Sequence, residues 1–339
     1  MMENLLSARA RVLRHSFLLL IYFLAAYAPT DAQALPPGFV RSEVAQVSAA
    51  TRMALAPDGR IFVAELGGRL RVIKNDALLP TPFVTLNVAT GGERGLSGAV
   101  LDPNFATNHY IYLYYTAPTP TPHSRVSRFT ANGDVAVPGS ERIIFDLDPL
   151  SEANFHNGGA LKFWADGTLF ISTGDNETPA AAQDLSTLLG KILRIDVRSD
   201  GFPTDPHRNY SIPSNNPFRN TAGARPEIWA YGLRNPFSVA IQRGTNRIFI
   251  NDVGSVFFEE INEGFAASNY GWPITEGYTN DPRFRSPFFT YNRHTGVPIG
   301  CAITGGSFYN PPIQKFPSQY LGQYFFTDYC NWWIYTLDT

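Results

Sequence analysis

Little sulfur, little charge and a single long apolar run set the first limits on this sequence. Two cysteines, Cys301 and Cys330, are too few for a disulfide scaffold, and no C-x-x-C or H-x-x-H pair offers a zinc site. Charged residues make up 17% of 339 and the formal net charge is −2, so no basic stripe invites nucleic acid. A glycine-rich phosphate loop is also missing, which removes support for nucleotide and dinucleotide readings. The Gly-Leu-Ser-Gly at Gly95 is followed by a strand pattern, so it lacks the strand-to-helix turn of a hydrolase nucleophile. The long apolar run, Phe17 to Ala28, follows Arg9, Arg11 and Arg14 and leads to Ala32-Gln33-Ala34. At about a dozen residues it is shorter than the roughly 20 that cross a bilayer as a helix. It reads as a signal peptide over residues 1–34, leaving a mature chain that is secreted or periplasmic and has no membrane span.

What is abundant points to sheet. The 28 glycines and 26 prolines are spread along a chain that is 44% apolar, which reads as many turns between short buried strands. Apolar runs joined by turns recur: from Met53, from Gly98, from Ala160, from Phe237 and from Ala302. The turns include Pro57-Asp58-Gly59, Ala165-Asp166-Gly167 and Gly244-Thr245-Asn246. Five such units at similar spacing predict an all-β chain built of radial blades, an arrangement that covers sheet faces and leaves short edges.

From Pro36 onward the motifs ERGLSGAVLDPNF (Glu93–Phe105), HNGG (His156–Gly159), YGLRNPF (Tyr231–Phe237), NDVGSVFFEEIN (Asn251–Asn262), NYGWP (Asn269–Pro273) and ITGG (Ile303–Gly306) stand in order. On these the chain resembles the glucose/sorbosone dehydrogenase family, including its hedgehog-interacting-protein-like branch. The resemblance implies a six-bladed β-propeller that binds pyrroloquinoline quinone, commonly with calcium, and oxidises the anomeric hydroxyl of aldoses to a lactone. It implies one domain over residues 35–339. Only about five blades are evident, so that domain is expected to be incomplete at its C-terminus or to close imperfectly.

Oxidation at the anomeric carbon removes a hydroxyl proton while hydride leaves, which calls for a neutral imidazole as base. His156 matches the family histidine, and Asp175, at the end of the next strand, matches the partner that holds its tautomer. A quinone that carries carboxylates calls for fixed donors, and Arg234, with Asn235 and Glu93, is expected to contact the cofactor. Glu93 stands where the glucose dehydrogenase branch has glutamine. Gly254 and Ser255 occupy carbonyl-donating positions for a cofactor calcium, while Glu260 and Tyr270 match a structural calcium site. Here Asp-Val-Gly-Ser replaces the Glu-Gln-Gly-Pro of the glucose dehydrogenase branch. Glu259 and Glu260 read equally as an exposed acidic face. Trp272 reads as blade core before channel wall, His109 as a strand end, and His123, His207 and His294 as loop residues. Cys301 and Cys330, in an oxidising compartment, are expected to form a disulfide. Two functions stay open: a sugar dehydrogenase that needs a sugar and an external electron acceptor, and a non-catalytic propeller, or inactive fragment, that binds a carbohydrate or protein.

Overall fold

The recurring Asp-Gly turns close strand pairs as their chemistry requires. At the first, Gly59 sits at φ +91° and the Asp58 carboxylate accepts the Arg60 amide at 3.1 Å. At the second, Gly167 has φ +81° and Asp166 accepts the Thr168 amide at 2.9 Å. Both are turns that glycine enters without steric cost. The computed structural model describes residues 35–339; the expected signal peptide at residues 1–34 lies outside them. The chain divides into Met1–Ser42 and Glu43–Thr339. In the described part of the first unit the Phe39 amide closes a turn on the Pro36 carbonyl at 3.2 Å.

The second unit is five antiparallel sheets in chain order. The first holds β1 (Ala50–Leu55), β2 (Ile61–Glu65), β3 (Arg69–Lys74) and β4 (Ala77–Leu78), with β5 (Val84–Thr85) also on β3. The second holds β6 (Leu96–Leu101), β7 (Tyr110–Ala117), β8 (His123–Asn132) and β10 (Arg142–Pro149), with β9 (Val135–Ala136) on β8 and a one-turn helix, α1 (Phe105–Asn108), between β6 and β7. The third is β11 (Leu161–Phe163), β12 (Leu169–Thr173), β13 (Lys191–Ile195) and β14 (Ile228–Tyr231). The fourth is β15 (Pro236–Ile241), β16 (Ile248–Asp252), β17 (Phe258–Glu263) and β18 (Phe289–Asn292). The fifth is β19 (Ile303–Phe308), β20 (Tyr324–Asp328) and β21 (Ile334–Leu337).

β12, β13 and β16 are buried at every position, so each carries neighbouring apolar residues on both faces where a one-sided strand would alternate. Four apolar cores lie between successive sheets. Phe62 and Val72 meet Ile111 and Leu113, and Tyr112 and Val126 meet Ile171 and Leu193. Phe170 and Trp229 meet Val239 and Ile250, and Phe249 and Tyr291 meet Tyr324 and Phe326. The innermost strands β1, β6, β11, β15 and β19 follow one another around a central channel. The expected all-β, five-bladed propeller arrangement is what the described residues form.

Two histidines sit otherwise than expected. His109 precedes its strand and caps α1 in the left-handed conformation. His123 opens β8, is buried, and bonds the Thr121 carbonyl at 2.7 Å, with its other nitrogen 3.3 Å from Asp146. Its flanking prolines hid the strand.

The fifth sheet is tied at its root. Cys301 and Cys330 form a disulfide with Cα atoms 5.7 Å apart. Between them the buried Asp328 carboxylate accepts from the amides of Cys301 and Ala302 at 2.9 Å each and from the Tyr291 hydroxyl at 2.8 Å. Its other oxygen accepts from the amides of Cys330 at 2.9 Å and Asn331 at 3.1 Å.

Candidate functional site

His156 stands on the loop between β10 and β11, at φ +58°, a left-handed backbone that is uncommon for a non-glycine residue. The two glycines after it, and Gly174 opposite, make this possible. A Cβ on Gly174 would lie 2.0 Å from the His156 carbonyl oxygen, and one on Gly158 2.7 Å from the Ser172 carbonyl. The loop is therefore pressed onto the end of β12, where Asp175 follows.

Asp175 is fully buried, and its Oδ1 lies 2.7 Å from His156 Nδ1. The same oxygen accepts the Glu177 amide at 2.8 Å, and Oδ2 accepts the indole N–H of Trp272 at 2.8 Å. A carboxylate accepts the Nδ1 proton, which leaves Nε2 as the unprotonated nitrogen of a neutral ring. Among the described residues nothing bonds to Nε2. His156 is thus oriented from behind and open in front.

The loop is also clamped from the side. One Glu93 oxygen accepts the Asn157 amide at 3.1 Å, and both accept from the Asn235 side chain, at 3.1 and 3.2 Å. Asn235 in turn accepts the Gly158 amide at 3.0 Å. Glu93 and Asn235, expected at the cofactor, spend their polar atoms on holding the histidine loop.

Arg234 and Asn235 lead into β15, and their backbone amides donate to Asp252 at 2.9 and 2.7 Å. Burial and then the neighbouring Glu260 push the Asp252 carboxyl well above its ordinary range. The Arg234 guanidinium lies 5.5 Å over the Trp272 ring and donates from Nη1 to the Val253 carbonyl at 3.1 Å. Its Nε and Nη2 bond no protein group among the described residues. His156 Nε2 and two guanidinium nitrogens are therefore uncommitted donors and acceptors around one indole.

Trp272 is the residue that sequence reasoning misassigned: it is half-buried and belongs to the site through Asp175. Its shelf is held by Gln183, which donates to the Trp272 carbonyl at 2.7 Å and exchanges bonds of 2.9 and 2.8 Å with the Asn269 side chain. Beneath Gln183, fully buried Lys191 donates to the carbonyls of Ala181, Ala182 and Leu189 at 2.7, 3.1 and 2.6 Å. Burial holds its ammonium down at about 7, against an ordinary 10.5, with Asp184 and Asp148 opposing the shift. The unfolded chain keeps this proton until pH nears 10.5 and the folded chain only until about 7, so stability from this group rises with pH across that window. Chemical denaturation of Lys191→Met across the same window is expected to lack that rise.

Of the donors expected to hold calcium, the Gly254 carbonyl, the Glu260 carboxyl and the Tyr270 hydroxyl have protein partners, and the Ser255 carbonyl has none among the described residues. The Gly254 carbonyl accepts from Arg293 at 3.0 Å. The Ser255 amide donates to Glu276 at 2.8 Å, and the amides of Val256, Phe257 and Phe258 converge on the same oxygen at 3.0 to 3.2 Å. This loop is an amide nest filled by the chain's own carboxylate. Glu260 is buried, not exposed; its oxygens accept the Gly277 amide at 2.6 Å and the Asn262 side chain at 3.0 Å, and burial pushes it up to about 7. Glu259 is fully buried and paired with Arg293. The Tyr270 hydroxyl donates to the Glu263 carbonyl at 2.8 Å and accepts the Phe265 amide at 3.1 Å. Among the described residues the one convergent group of His, Cys, Asp or Glu ligand atoms is Cys301, Asp328 and Cys330, and its cysteines are bridged. No described helix is long and apolar enough to cross a membrane.

The family described as Glucose / Sorbosone dehydrogenase matches residues 47–318. Aldose sugar dehydrogenase YliI of Escherichia coli is 32% identical over 299 residues, covering 83% of this chain and 76% of that protein. Quinoprotein glucose dehydrogenase B of Acinetobacter calcoaceticus is 27% identical over 255 residues, covering 66% of this chain and 50% of that protein. The crystal structure of a putative oxidoreductase (glucose dehydrogenase) from Thermus thermophilus superposes with a TM-score of 0.70 at 30% identity, over 83% of this chain and 77% of that one.

Proposed function

We propose, since this chain belongs to the glucose/sorbosone dehydrogenase family, that it is an exported dehydrogenase oxidising the anomeric hydroxyl of aldoses to lactones, with His156 as base. The observation that carries this reading is the aligned series Trp272, Asp175, His156, which leaves Nε2 as an uncommitted acceptor. Similarity to an aldose sugar dehydrogenase and to a quinoprotein supports the sugar substrate and the quinone.

The residues present fit pyrroloquinoline quinone in kind: an indole face, a guanidinium with two uncommitted nitrogens, and an imidazole acceptor. Trp272 and Arg234 would hold it, and when bound it accepts the hydride from the anomeric carbon. His156 Nε2 takes the proton of the anomeric hydroxyl. Asp175 accepts from Nδ1 and stabilises the imidazolium that forms, and the Trp272 indole and the Glu177 amide keep that carboxylate from turning. Glu93 and Asn235 fix the loop so that Nε2 does not swing away. An external electron acceptor would be needed to reoxidise the group.

The test is loading with the quinone followed by dye reduction with several aldoses. Turnover in the wild type supports the reading, and none with any aldose removes it. Trp272→Phe keeps the ring and deletes the indole donor; a bond to a charged group of this kind is worth about 1.5–3 kcal/mol, and a share of it lost in the transition state gives a kcat about tenfold lower. A second reading, a non-catalytic propeller binding a carbohydrate or protein, is favoured by the loop at Ser255–Phe258, whose amides the chain's own Glu276 fills, and predicts sugar or protein binding without turnover.

A further inference from the structure

The central channel carries positive charge that nothing on its walls balances. Its cavity of about 660 Å³ is lined by β1, β6, β11, β15 and β19, and no aspartate or glutamate is among the described residues that line it. Arg52, from β1, reaches across: Nε donates to the Ser97 carbonyl at 3.2 Å, Nη1 to the Ser238 hydroxyl at 3.1 Å and Nη2 to the Phe237 carbonyl at 2.5 Å. Those three bonds tie the first sheet to the second and fourth, and the Ser238 hydroxyl passes the tie to the Thr304 carbonyl of the fifth at 2.5 Å. The guanidinium has found neutral acceptors only. Lys162, on β11 just beyond the site loop, also lines the cavity and has no hydrogen bond or ion pair among the described residues.

Lys162 is exposed to solvent within the cavity; the protein around it and then Arg52 hold its ammonium below its ordinary range, and burial holds Arg52 at about 10. The exposed ammonium faces the cavity beside a guanidinium whose partners are all neutral, and a ligand of opposite sign entering there would meet both cations. The cavity is several times larger than a single halide requires, and ammonium and guanidinium donors suit an oxygen-rich anion.

We propose that the channel is a binding site for a small multivalent oxyanion, a phosphate or a short polycarboxylate, with Lys162 and Arg52 as its anchors. The site lies on the inner strands, apart from the His156 face, and does not depend on the dehydrogenase reading. Lys162 is the residue to test, because removing Arg52 would also cut the ties between sheets.

Isothermal titration of the wild type with inorganic phosphate and, separately, with citrate, at ionic strength fixed by sodium chloride, is expected to give a saturable one-to-one isotherm with at least one of them. The probe that binds identifies the anion class. Lys162→Met keeps most of the stem and is expected to weaken binding at least about tenfold, the effect of roughly 1.4 kcal/mol. Lys162→Arg keeps the charge and is expected to retain binding. Circular dichroism establishes that each variant is folded. Phosphate also stabilises proteins generally by exclusion from their surface, an effect that does not saturate at one site or depend on Lys162. No saturable heat with either probe, or equal affinity in folded Lys162→Met, overturns the proposal.

Discussion

His156→Ala is expected to lower kcat for aldose oxidation by about 10²- to 10⁴-fold, the usual contribution of a positioned general base. Sugar affinity is expected to move little, because the imidazole acts on a proton in transit. The side chain is 13% exposed and its ring has one protein partner, Asp175, so truncation opens no large core cavity. The left-handed backbone at position 156 tolerates alanine less well than glycine, and His156→Gly is the companion that separates strain from chemistry. Activity lost in both with melting unchanged fits the base. Full activity in either variant refutes it. Added imidazole restoring part of the rate in the glycine variant would place the lost function in the ring.

Asp328→Ala is expected to be the most destabilising substitution outside the apolar cores, by about 3–5 kcal/mol. Each hydrogen bond to an ionised group is worth about 1.5–3 kcal/mol, and such losses within one network are not additive. This carboxylate accepts from four backbone amides and the buried Tyr291 hydroxyl, at 2.8 to 3.1 Å. Its removal leaves those donors facing one another at the root of the fifth sheet. Denaturant unfolding of Asp328→Ala measures the loss, and Asp328→Asn, which keeps an acceptor, is expected to recover part of it. A change below about 1 kcal/mol in the alanine variant would show that water replaces the carboxylate at no cost.

The strands, their turns and the pairing of His156 with Asp175 were legible because they depend on neighbours in sequence. Asp58-Gly59 and Asp166-Gly167 announce their turns by residue type, and an acid at the end of β12 must face the loop before β11 because the two strands pair. Trp272 was not legible. Its indole meets a carboxylate 97 residues earlier, and no local pattern distinguishes a tryptophan that packs from one that donates. Glu93 was placed at the site, but its task depends on Asn235, 142 residues away. Glu259 and Glu260, read equally as an exposed face, are buried because Arg293 and the Gly277 amide await them. Adjacent acids carry no signal that such partners exist.

The span between Trp272 and Asp175 also sets a clock. Hairpins such as β11–β12 close over a few residues, whereas this bond waits until the third and fourth sheets have docked and the long segment before β18 has folded back. In refolding, the Trp272–Asp175 contact is expected to return after the sheet content, so tryptophan fluorescence is expected to recover later than the circular dichroism signal. During synthesis the carboxylate emerges well before its indole, and until then only Oδ1, with the His156 ring and the Glu177 amide, has partners to meet.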